Sequence, residues 1–185
     1  RDPEMSRGLG DVYKRQSILQ ATGVARIFTC TEEYSMQLTQ KEVSLLKDMR
    51  NQEKLCIDKY SKYAAEAHDP QLRQLFDSIA GTERAHLDML NQIEAGQSPR
   101  TSTATDPAPA FQAFYPTSQT PEKQADSYLC ADLLSTEKHV SALYNTCVFE
   151  FTQNDLRKVL NRIQTDEQYH GEQLWKYMSV NSMYS

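Results

Sequence analysis

The sequence predicts an all-α fold: an antiparallel four-helix bundle made of two pseudo-repeated helical hairpins joined by a long crossover linker. Three observations carry that prediction. The chain repeats itself without gaps at a spacing of 84 residues. Four stretches carry apolar residues alternately three and four apart, the period of a helix with one buried face. A segment rich in Pro, Ser, Thr and Ala separates the second stretch from the third. The repeat is anchored by two copies of Glu-x-x-His, Glu83 to His86 and Glu167 to His170, each preceded thirty residues earlier by another glutamate, Glu53 and Glu137. Asp48/Asp132, Lys54/Lys138, Tyr60/Tyr144, Leu72/Leu156, Arg73/Arg157, Ile79/Ile163 and Leu90/Leu174 recur at the same offset. An internal repeat of this kind constrains the fold before any single element is assigned.

Residues 1–35 are expected to be a non-native or disordered segment. Asp11-Val12-Tyr13-Lys14-Arg15-Gln16 is what one reading frame of a common sequencing adapter encodes, and residues 17–35 show neither a helical nor a strand period. They also lack the apolar run and small-residue cleavage site of a signal peptide. Met36 is the expected start, and 36–180 the expected single bundle: hairpin 36–96, crossover linker 97–120, hairpin 121–180.

The first helix opens on Thr39-Gln40-Lys41-Glu42, the S/T-x-x-E form of a capping box. Its stripe runs Leu46, Met49, Glu53, Cys56, Tyr60, Tyr63. Asp69-Pro70 opens the second, Asp as N-cap and Pro at the first helical position. That stripe is Leu72, Phe76, Ile79, Glu83, His86, Leu90, Ile93. The linker exceeds the usual length between bundle helices. It can span the bundle from end to end, so the third helix need not run antiparallel to the second. Phe111, Phe114 and Tyr115 are expected to anchor it on the bundle's side. Thr120-Pro121-Glu122 opens the third helix, with stripe Cys130, Leu133, Glu137, Val140, Tyr144, Cys147, Phe151. A turn near Gln153 leads to the fourth, with stripe Leu156, Leu160, Ile163, Glu167, His170, Leu174, Tyr177 and a short polar tail after Met178.

Composition excludes several classes. A net charge of −5 and a pI near 5.4 argue against nucleic acid as the partner. No apolar run approaches the roughly 18–20 residues of a membrane span. Cys30, Cys56, Cys130 and Cys147 show no CxxC or zinc-type spacing, and three of them fall on the stripes as small core residues, consistent with a reducing cytosol.

Each stripe carries one glutamate at its centre, and two add a histidine. Glu53 and Glu83 are equidistant from position 68, and Glu137 and Glu167 from position 152, where the two turns must lie. The four carboxylates therefore meet at one level, about 22 Å from the turns at 1.5 Å per residue. Burying them unpaired costs several kcal/mol each, so they are protonated, hydrogen-bonded in a polar network, or joined by positive charge. Two divalent cations balance four carboxylates and take neutral imidazoles as further ligands. The candidate metal ligands are Glu53, Glu83, His86, Glu137, Glu167 and His170. Iron or manganese suits this donor set, and zinc is possible. Tyr60 and Tyr144, two turns from their glutamates, are expected as hydrogen-bonded core tyrosines, and His139 as a surface residue.

One Glu from each of two helices plus Glu-x-x-His from the other two resembles the ligand set of the ferritin-like superfamily. A closer resemblance, over about 36–180, is to coat F-type bacterial spore coat proteins, carried by Leu38-Thr39-Gln40-Lys41-Glu42, Lys59-Tyr60-Ser61-Lys62-Tyr63, Asp69-Pro70-Gln71-Leu72-Arg73 and Ser135-Thr136-Glu137-Lys138-His139-Val140. It implies a sporulation protein made in the cytoplasm without a signal peptide, placed in or near the spore coat, and partnered by other coat proteins or by itself. In di-iron oxygenases and ribonucleotide reductase small subunits, an Asp before the last Glu-x-x-His hydrogen-bonds a metal-bound His of the other motif. Asp166 matches it, while Thr82 stands at the equivalent place in the first copy. No rubredoxin-like CxxC pair supplies electrons. Two functions follow from the resemblance: a coat building block stapled by metal, or a di-iron or di-manganese oxidoreductase acting on peroxide or ferrous iron. A storage shell ranks third.

Overall fold

The computed structural model describes residues 37–101 and 109–184. Segment 1–35, with Cys30, lies outside the described residues. Four helices make up the described structure, with no strand among the described residues: α1 (Gln40–Glu66), α2 (Pro70–Glu94), α3 (Pro121–Glu150) and α4 (Asn154–Val180).

Local chemistry sets the helix ends. At α1 the capping box is complete: Glu42 N–H donates to Thr39 Oγ1 at 3.2 Å, and Thr39 N–H donates to Glu42 Oε2 at 2.6 Å. Asp69 Oδ1 accepts from Gln71 N–H at 2.8 Å with Pro70 at the first helical position, and Thr120 Oγ1 accepts from Lys123 N–H at 3.2 Å. The fourth helix starts at Asn154 behind Gln153, which makes no side-chain capping bond. At its C-terminus, α2 closes in a Schellman motif. Gly96, at φ 78°, donates to Ile93 O and Gln97 donates to Gln92 O, a left-handed turn that glycine adopts without a Cβ clash. The same bond pattern follows α4 around Ser182, at φ 53°. The polar tail expected after Met178 is thus partly helical, and Asn181 is buried.

α1 packs on α2 and α3, and α4 packs on α3 and α2. The turn between α1 and α2 sits beside the start of α3, and the turn between α3 and α4 beside the start of α1. Adjacent helices therefore run antiparallel throughout. The crossover leaves α2 at one end of the bundle, and its second half, from residue 109, lies at the other. There Phe111 stacks edge-on against Tyr177 with centroids 5.5 Å apart, and Asn181 Oδ1 accepts from the N–H groups of Phe114 and Tyr115. Phe111 and Tyr115 anchor the linker as expected; Phe114 is half exposed. The stripes form the core, with Cys56, Cys130 and Cys147 buried and unbonded. Tyr63, expected on the stripe, sits at its edge, its hydroxyl donating to Asp132 Oδ2 at 2.7 Å.

Residues 84 apart do the same structural work. Arg73 Nε donates to Ala67 O at 2.6 Å, and Arg157 Nη1 donates to Phe151 O at 3.3 Å, each capping the helix before it. Glu42 Oε1 accepts from Thr152 N–H at 2.7 Å and from the Thr152 hydroxyl at 3.0 Å, so α1 closes the turn of the second hairpin. Asp126, 84 residues on, closes the turn of the first: it accepts from His68 N–H at 2.9 Å, Asp69 N–H at 3.0 Å and the Tyr115 hydroxyl at 2.6 Å. Both carboxylates are fully buried. The pair falls outside the repeat recognised from sequence, although the same offset extends to it. Removing either acceptor leaves polar groups unpaired, at about 1–3 kcal/mol or more for a charged partner. Glu42→Ala and Asp126→Ala should each lower stability by at least about 1 kcal/mol, because in each case three donors lose their acceptor. Urea unfolding measures both, and values within error of wild type would mean that the clamps contribute nothing.

Candidate metal centre

All six expected ligand residues converge in the bundle interior. Glu53 and Glu137 come from α1 and α3, and the Glu-x-x-His pairs from α2 and α4. Exposure does not exceed 3% for any of them. They form two overlapping groups, Glu53, Glu83, His86 and Glu167, and Glu83, Glu137, Glu167 and His170, each with one donor atom per residue within 4.8 Å of the others. Glu83 and Glu167 belong to both. Glu83 turns Oε2 to His86 Nδ1 at 3.1 Å and Oε1 to His170 Nδ1 at 3.1 Å. Glu167 turns Oε1 to His86 Nδ1 at 3.2 Å and Oε2 to His170 Nδ1 at 3.9 Å. The imidazole rings lie 5.9 Å apart, 28° from parallel.

The tyrosines cross between the hairpins. The Tyr60 hydroxyl donates to Glu137 Oε1, and the Tyr144 hydroxyl donates to Glu53 Oε1. Each terminal glutamate thus has one oxygen held by a tyrosine and the other facing the centre. Behind the centre, Asp166 Oδ2 lies 3.3 Å from His86 Nε2, and Arg162 holds Asp166 from the far side, with Nε 2.9 Å from Oδ2 and Nη2 2.8 Å from Oδ1. His139 is exposed. Sequence reasoning placed the tyrosines on the same face as the glutamates but not their exchange across the hairpins, and it missed Arg162. The i, i+4 spacing of Arg162 and Asp166 was the available signal.

Glu53 Oε2, Glu83 Oε1, Glu137 Oε2, both Glu167 oxygens and His170 Nδ1 are buried without a hydrogen-bond partner. Buried polar atoms are normally satisfied, so such a cluster calls for a partner beyond the protein's own groups. A cation fits: the atoms are anionic or lone-pair donors, and they point at one another.

Without a cation the charges settle on protons. Burial pushes the Glu53 carboxyl up to about 7. Burial and the charge of Glu83 hold Glu167 well above the usual carboxylate range. Burial opposes charge on the imidazoles, but facing carboxylates outweigh it. Asp166, Glu167, Glu53 and Glu83 hold His86 well above its ordinary value, and Glu137 and Glu83 raise His170 to about 10. Burial also pushes Glu83 up, but its contacts with His170 and His86 win and hold it below the usual range.

Residues 125–185 match the Coat F domain family. No curated protein and no solved structure matches the chain. The Coat F match runs from the first turns of α3 to the end of the chain and takes in Glu137, Tyr144, Asp166, Glu167 and His170. Half of the cluster therefore lies in Coat F-like sequence. Among the described residues, no helix is long and apolar enough to cross a membrane.

A stability slope follows from the protonation pattern. The folded protein stripped of cations keeps the His170 proton to about 10, whereas the unfolded chain releases it near 6.5. That contribution is complete below pH 6.5 and is lost as pH rises through the folded value. Glu53 acts in the same direction between 4.5 and about 7. With chelator present, the urea midpoint should fall from pH 6 to pH 9. A midpoint that rises over this range would show that the imidazoles are buried neutral.

Proposed function

We propose that this chain is a ferritin-like spore coat protein whose bundle centre holds two divalent cations, iron or manganese, as a structural staple. The spore coat assignment rests on the Coat F match. The single observation that carries the metal is the set of orphaned buried atoms contributed by all four glutamates and His170. Glu53, Glu83, His86 and Glu167 would hold one ion and Glu83, Glu137, Glu167 and His170 the other, a division supported by the two overlapping groups of donors. Carboxylate and imidazole donors suit iron and manganese, and zinc would also bind. The hydroxyls of Tyr60 and Tyr144 hold the terminal glutamates in place, and Asp166 orients His86.

The Coat F match favours a building block that joins other coat proteins or its own copies. The second reading is a di-iron or di-manganese oxidoreductase acting on peroxide or ferrous iron. What favours it is the six-residue donor set, which exceeds what a staple needs. A bound pair of such ions supplies electron transfer at the bundle centre. The chain's own part is to fix the ligands, exclude water and hold protons on the imidazoles until the ions displace them.

Purified protein given iron or manganese should hold about two ions per chain. Loading should release protons and reverse the pH slope, because ligands must be deprotonated to bind. Metal analysis by mass spectrometry with urea unfolding at pH 6 and 9 tests this; less than about half an ion per chain would sink the metal assignment.

The double variant Glu53→Gln with Glu137→Gln separates the two functions. Leucine at these positions would strand the tyrosine hydroxyls, at about 1–3 kcal/mol each, whereas glutamine keeps an acceptor for them. Metal should be lost while helicity and spore localisation persist. A staple predicts unchanged peroxide resistance of the spores; wild-type peroxide or ferrous-iron turnover that disappears in the variant would establish the oxidoreductase.

A further inference from the structure

We infer that the two cation positions are unequal: the one on His86 fills first and holds its ion more tightly than the one on His170. The inference rests on the two-metal reading and adds an order to it. The two hairpins match closely around the centre, in glutamates, tyrosines and imidazoles. They differ behind the imidazoles. His86 Nε2 faces Asp166 Oδ2 at 3.3 Å, and Asp166 is fixed by a two-point contact with Arg162. The residue 84 positions before Asp166 is Thr82. Its hydroxyl turns back to Ser78 O at 3.5 Å within its own helix. Among the described residues, His170 Nε2 has no hydrogen-bond partner.

A carboxylate on the far nitrogen does three things for a ligating imidazole. It fixes the proton on Nε2, so that Nδ1 presents its lone pair inward. It stops the ring from rotating. It raises the basicity of the ligating nitrogen. Such partners change metal affinity about 10- to 100-fold. His86 has one and His170 does not. The near contacts agree in direction. His86 Nδ1 lies 3.1, 3.2 and 3.7 Å from oxygens of Glu83, Glu167 and Glu53, whereas His170 Nδ1 lies 3.1, 3.6 and 3.9 Å from those of Glu83, Glu137 and Glu167. The second and third carboxylate oxygens are thus drawn closer to His86 Nδ1 than to His170 Nδ1. Asp166 is thus a positioning residue that sets the order of loading.

The test is titration of the metal-free full chain with cobalt(II) alone, followed by its d–d absorption and by calorimetry. Two steps should appear, the first about 10- to 100-fold tighter. His170→Ala should keep the first step and lose the second; His86→Ala should lose the first. Asp166→Asn should weaken the first step by that factor and leave the second in place. Thr82→Asp, at a half-buried site on the helix surface, should tighten the second step, a gain that a merely structural role for Asp166 does not predict. It also keeps the inference testable should Asp166→Asn fail to fold. Two equal steps in the wild type, or a first step that survives in His86→Ala, would overturn the order and leave the two-metal reading intact. Absence of cobalt binding would overturn both.

Discussion

Four carboxylates buried at one level in the bundle interior are the constraint on which the rest of the structure turns. Water cannot solvate Glu53, Glu83, Glu137 and Glu167 there, so charge must be supplied from within. Several arrangements answer that demand together. The imidazoles stand among the carboxylates, the tyrosine hydroxyls take up one oxygen of each terminal glutamate, and Arg162 balances Asp166 on the outer side. An apolar core at this level would need none of these residues. The polar centre organises the packing around it, because its members come from all four helices and must meet in the bundle interior.

Much of this was legible in the sequence, for physical reasons. Capping residues act over three or four positions, so Thr39, Asp69 and Thr120 announced their helices locally. The convergence of six polar residues was legible because a fixed rise per residue converts sequence distance from a turn into height. Gln153 gave no such signal, and α4 begins there without a side-chain cap because the turn is held instead by Glu42 from the far end of the chain. Contacts of that kind escape sequence reasoning, since nothing near Thr152 or His68 says which carboxylate will reach them. Lys123 is a similar case. Its charge suggests an exposed helix start, yet the ammonium is buried and donates to Pro116 O at 3.0 Å, an interaction that exists only because the crossover folds back there. The exchange of tyrosines between hairpins belongs to the same class, because the repeat fixes equivalence between the halves and not their mutual orientation.

The two halves hold each other rather than themselves. Glu42 closes the turn of the second hairpin and Asp126 that of the first; Tyr60 serves the glutamate of the second and Tyr144 that of the first. Neither hairpin has its own complement of acceptors, so either alone would expose unpaired donors at its turn and an incomplete cluster on its inner face. The match of only the second hairpin to Coat F domains sits on a chain whose first hairpin supplies the other half of every such pair.

The direction in which the chain passes through the bundle has a mechanical consequence. Gln37 lies beside the turn of the second hairpin, at one end, and α4 runs out at Tyr184 at the other, beside the anchored linker. A pull on these two points would not peel the helices apart one contact at a time. It would slide one hairpin lengthwise against the other, loading the carboxylate centre and both turn clamps at once, in shear. Under such a pull the bundle would resist along its helix axes, the direction in which its polar crosslinks must all give way together.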